Sequence, residues 1–168
     1  MKSVNIELAA LSPVQPLSTD TDTDIDIDIG SAIHGSWQLE TYEVEVQSNG
    51  ERFAPMGEHP SGYVLFTPQG RLSFTLTSGH RQPPESLEDK AALLSSVIAY
   101  TGTYRLDGDR WITQVDVAWN PEWVGTEQIR HFKIHGDQLT VTTPWRVMPN
   151  WPDKGLTRSI VRFCRCHD

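Results

Sequence analysis

From Gly35 onward, apolar and polar residues alternate in short runs separated by turn chemistry. GSWQLETYEVEV (35–46) runs into Ser48-Asn49-Gly50. GYVLFT (62–67) meets Pro68-Gln69-Gly70 before RLSFTLTS (71–78). YTGTYRL (100–106), Asp107-Gly108-Asp109 and RWITQVDVAW (110–119) repeat that arrangement, as do TEQIRHFKI (126–134), His135-Gly136-Asp137 and QLTVTT (138–143). LTRSIVRFC (156–164) closes the series. A period of two marks half-buried strands, and short Gly-containing connections mark hairpins. About eight such strands, each followed by its neighbour, predict an all-β, antiparallel up-and-down barrel, because closure removes exposed edges.

One stretch breaks the period. PPESLEDKAALLSSVIAY (83–100) opens with proline and acids and spaces Leu87, Ala91, Leu94, Val97 and Ile98 as a helix face. A single inserted helix over about 85–98 is expected there, plugging one barrel end or covering a cavity.

The first 33 residues follow neither pattern. Ser18 to Ile29 reads STDTDTDIDIDI, and the segment carries Glu7 and five Asp against Lys2, most of the chain's net charge of −8. It contains no aromatic residue. An acidic disordered leader (1–33) preceding one barrel domain (34–168) is the expected organisation. The aspartate ladder lacks the Gly and Glu positions of a calcium loop: from Asp24, position 6 is Ile29 and position 12 is Gly35.

The acidic balance argues against a nucleic-acid partner, and no apolar run approaches the roughly 20 residues of a membrane helix. Cys164 and Cys166 lie two apart and are read as reduced thiols, which points to the cytoplasm. The opening MKSVNIELAALSPVQ has no continuous apolar core of a secretory signal. His131 and His135, on one strand, stand roughly 13 Å apart and cannot share a metal. No P-loop, nucleophile elbow or dinucleotide glycine fingerprint occurs, so neither a metal nor a cofactor is expected.

Gly35-Ser36-Trp37 resembles the Gly-x-Trp opening of lipocalins, whose tryptophan packs across the barrel base. FAPMGEHPSGYVLFTPQGRLSF (53–74), YTGTYRLDGD (100–109) and NPEWVGTEQIRHFKIHGDQLTVTTP (120–144) resemble the bacterial and fungal lipocalin-like domain family, over residues 34–164. The resemblance implies a calycin-type barrel with a small-molecule cavity, often of natural-product gene clusters, and no single chemistry.

Within such a barrel, the face carrying Thr126, Gln128, Arg130, Phe132 and Ile134 is expected to point inward. An interior Arg130 would either snorkel to the rim or hold a carbonyl, enolate or carboxylate. Asp116, Glu127 or His131 is the expected accompanying acid or base. An even pairing sum between 110–119 and 126–134 turns Asp116 inward, and an odd sum turns it out. Tyr63, Phe74, Tyr104, Trp119, Trp123 and Trp145, with Gln128, are the expected substrate-binding set. These features predict a cofactor-independent isomerase, cyclase or dehydratase acting on a natural-product intermediate. The alternative is a non-catalytic carrier of an apolar or aromatic metabolite.

Overall fold

The computed structural model describes residues 29–148 and 151–167. The aspartate ladder and the rest of the leader through residue 28 lie outside the described residues. The order is α1 (Ile29–Ile33), β1 (Gly35–Val46), β2 (Arg52–Phe53), β3 (Ser61–Phe66), β4 (Arg71–Thr77), α2 (Leu87–Ser95), β5 (Val97–Asp107), β6 (Arg110–Ala118), β7 (Glu127–His135), β8 (Gln138–Thr142), β9 (Arg146–Val147) and β10 (Leu156–Arg165). Strands β1, β3, β4, β5, β6, β7, β8 and β10 pair in that order, and β10 pairs back onto β1. The result is a closed eight-stranded antiparallel barrel, with β2 and β9 as two-residue additions.

Alternation builds the interior. Val64 and Phe66, Leu72, Phe74 and Leu76, Trp111, Thr113 and Val115, and Leu139 and Val141 all point in. Two bulges interrupt it. On β1 the register against β10 shifts between Leu39 and Thr41, so Trp37 and Leu39 share the inner face with Tyr42, Val44 and Val46. Between β5 and β6 it shifts beside Gly102, where Gly102 pairs Val115 and Thr101 pairs Val117. Asp116 is the extra residue there, turned outward. A Cβ on Gly102 would stand 2.0 Å from the Gln114 carbonyl oxygen, so the bulge requires glycine.

One barrel end is sealed. Trp37 is fully buried, its indole N–H donates to the Ile33 carbonyl at 2.9 Å, and the Arg165 guanidinium lies 4.0 Å from its ring centroid. Arg165 also donates to the Ala32 and His34 carbonyls, at 2.6 and 3.0 Å. Those bonds hold α1 across the base with Ile33 buried. Helix α1 therefore packs against the sealed end of the barrel.

Helix α2 is shorter than the sequence predicts. Ser86 caps it, with a reciprocal bond pair to Asp89, but Val97 and Ile98 join β5 and pair with Thr77 and Leu76. Ladder pairing along β4 wins those two residues from the helix. None of the α2 side chains is buried, and Leu87 is 82% exposed. The helix is therefore not a core plug; it reaches the open end only through Ser95 and the residues after it.

Candidate functional site

The unsealed end holds a cavity of about 140 Å³. Bulge and pairing geometry put its polar groups in place. The β1 bulge aims Tyr42 inward, where its hydroxyl meets Ser159 Oγ of β10 at 2.8 Å. Pairing of Arg146 with Thr157 brings the β9 arginine to the rim. Asn120 accepts a bond from the Glu122 N–H at 3.0 Å and so caps the helical turn Pro121–Trp123. That turn seats Trp123 edge-on to Tyr100 (5.7 Å) and to Trp119 (6.3 Å). Phe74 stacks on Tyr100 from the neighbouring strand at 5.1 Å.

Arg130 projects from β7 into this space and is only 6% exposed. Its guanidinium donates to the Ile129 carbonyl at 2.8 Å and to Gln128 Oε1 at 3.3 Å. Arg146 lines the same cavity, and its Nε has no partner. No described carboxylate lies within ion-pair distance of either arginine, and among the described lining residues there is no Asp, Glu or His. Burial depresses the Arg146 pKa, and the like charge of Arg130 adds to the effect. Burial pushes the Tyr100 phenol up, against the pull of the Arg130 charge. The Tyr100 hydroxyl and the Trp119 indole N–H are buried without a well-formed hydrogen bond; the former lies near enough to Arg130 to feel its charge.

Of the residues singled out from sequence, Arg130, Phe74, Trp119 and Trp123 line the cavity. Gln128 is buried behind Arg130 and positions it. The others are elsewhere. Trp111 pairs with Arg130, an odd sum, and Asp116 lies outside in an ion pair with Arg71 that holds its carboxyl below the usual range. Glu127 pairs with Arg105 on the outer surface. His131 lies outside, 3.5 Å from Asp109. The expected acid or base beside Arg130 is therefore absent from the cavity, because odd-sum pairing and strand alternation turn all three candidates out. Tyr63 is 45% exposed on the outer face of β3. Tyr104 points toward the sealed end, packing on Phe66 and donating to the Thr67 carbonyl at 3.3 Å. Trp145 covers Arg158 at 4.5 Å in an outer groove.

Sequence reasoning missed Tyr42, Tyr100, Arg146, Trp151 and Ser159. Tyr42 needs the bulge, and Arg146 lies in a segment that reads as a loop. Trp151 lies in the same segment, between β9 and β10; it packs on Phe53 at 5.4 Å and donates to Thr157 Oγ1 at 3.1 Å.

No helix among the described residues is long and apolar enough to cross a membrane. No curated protein matches the chain. The model of the lipocalin-like domain family matches residues 34–166, the whole barrel from the residue before Gly-x-Trp to the end of β10. The sealed base, the closed eight-strand meander and that match agree: the chain belongs to the lipocalin-like domain family.

Proposed function

We propose that the protein binds one small, largely apolar molecule in the open end of the barrel, with an oxygen of that molecule at Arg130. The carrying observation is a buried guanidinium that faces an aromatic-walled cavity with no carboxylate among the described residues to pair it. Buried charges are ordinarily compensated, and an oxygen-bearing ligand supplies the compensation here. An apolar cavity of roughly 150 Å³ accommodates benzene, so a space of about 140 Å³ suits a single ring. Natural-product metabolism is the setting that the family resemblance implies, and the free Cys164 and Cys166 support a cytoplasmic location.

A second reading is turnover without a cofactor, as in isomerisation, cyclisation or dehydration. Its support is the Arg130 guanidinium on one cavity with the Tyr42 and Ser159 hydroxyls. Together they suit a carbonyl oxygen that gains negative charge as the carbonyl enolises. With Asp116, Glu127 and His131 outside, hydroxyl groups carry any proton.

Indole N–H signals of the six tryptophans test the binding reading. Added trans-cinnamaldehyde, a one-ring carbonyl compound, should shift Trp119 and Trp123 and leave Trp37 and Trp111 in place. Shifts confined to Trp145, or none at 10 mM, would remove the cavity as the binding site. Turnover is tested by deuterium uptake into 2-phenylacetaldehyde in D₂O. Uptake no faster than in buffer discards the catalytic reading.

A further inference from the structure

We infer that the cavity is an anion site whose ligand class is the small aromatic carboxylic acid, its carboxylate lodged between Arg130 and Arg146. The inference rests on the binding reading above and adds the charge of the ligand. Two guanidiniums line one cavity and neither meets a described carboxylate. Two like charges brought together out of water repel each other and lose hydration, so the pair is electrostatically unfavourable without a counter-charge. A neutral carbonyl would leave that excess positive charge in place. A single anionic group cancels part of it.

The two arginines supply the donors. Arg130 spends bonds on Ile129 and Gln128, which fix its head and leave the rest of its five N–H groups for a ligand. Arg146 lines the same cavity, and its Nε has no partner. A carboxylate presents about four lone-pair positions and accepts from several donors at once. The wall is aromatic and aliphatic, of Phe74, Trp119, Trp123, Val141 and Val161. That combination suits one ring attached to one carboxylate. A dianionic phosphate would bring a larger hydration cost into so apolar a space.

The test compares matched one-ring probes on the full chain by quenching of cavity tryptophan fluorescence: trans-cinnamate, its uncharged amide, and phenyl phosphate. The expected result is cinnamate binding at least tenfold tighter than cinnamamide. In Arg146→Gln, cinnamate should weaken about tenfold while cinnamamide changes less than twofold. A thermal melt confirms that this rim variant folds; if it does not, Arg146→Lys, which keeps the charge, should retain cinnamate selectivity over the amide. Amide binding equal to or tighter than acid overturns the anion inference and leaves the binding reading standing. Phenyl phosphate binding tighter than cinnamate overturns the carboxylate class. Failure of all three probes to bind at 10 mM overturns the inference and the binding reading together.

Discussion

Replacing Trp37 with alanine removes the largest side chain at the sealed end. The ring is fully buried, donates to the Ile33 carbonyl and lies under Arg165. Truncation of a buried tryptophan costs about 3–5 kcal/mol in transfer and cavity terms. Leaving the Ile33 carbonyl unpaired adds about 1 kcal/mol. The sum of about 4–6 kcal/mol is a large fraction of a typical domain's stability. With a urea m-value of about 2 kcal/mol/M, the unfolding midpoint should fall by about 2–3 M. Trp37→Phe keeps most of the packing and loses the N–H, so its loss should be about 1–2 kcal/mol. Urea melts followed by circular dichroism measure both. A Trp37→Ala midpoint within 0.5 M of the parent would refute the account of the barrel base, and with it the structural role given to Gly-x-Trp.

Three further outcomes follow from the geometry. Gly102→Ala should lose about 3 kcal/mol, since its Cβ would stand 2.0 Å from the Gln114 carbonyl oxygen and the bulge must open; an unchanged melting temperature contradicts this. The Tyr100 phenol sits above its ordinary value of 10.0 because of burial, so its contribution to stability is whole below pH 10 and is lost as pH rises beyond it. Tyr100→Phe should flatten that alkaline decline between pH 9 and 11.5, and an identical decline in the variant would show that Tyr100 is not the group responsible. Asp116→Asn, Glu127→Gln and His131→Ala alter groups outside the barrel, so each should leave cinnamate affinity within twofold; a tenfold loss in any of them would return that residue to the site.

The barrel was legible because its signal is periodic. Alternation with turn glycines locates β1 from Gly35 to Val46, as read, and the other barrel strands within a few residues. The inward face of β7 follows from the same alternation, which is why Arg130 could be found. What alternation cannot carry is a bulge. One extra residue near Glu40 turns Tyr42 inward, and another, Asp116, leaves Val117 on the outer face beside it; neither carries a local sequence mark apart from Gly102. Pairing parity is equally silent in the sequence, and it decided which residues accompany Arg130. Helix α2 was overextended because Val97 and Ile98 fit both a helical face and a strand, and only the partner strand β4 separates the two. Arg146 belongs to a two-residue strand in a segment whose sequence shows no period.

The most direct measurement is the arginine Nε–H spectrum of ¹⁵N-labelled protein during titration with trans-cinnamate. Arg130→Met and Arg146→Gln identify the two cavity signals by their loss. The account predicts that both signals shift and saturate with one common dissociation constant. Those of Arg71 and Arg105, which are ion-paired on the outer surface, should stay where they are. Saturable cinnamate binding that moves the outer arginines, with Arg130 and Arg146 unchanged, would contradict it.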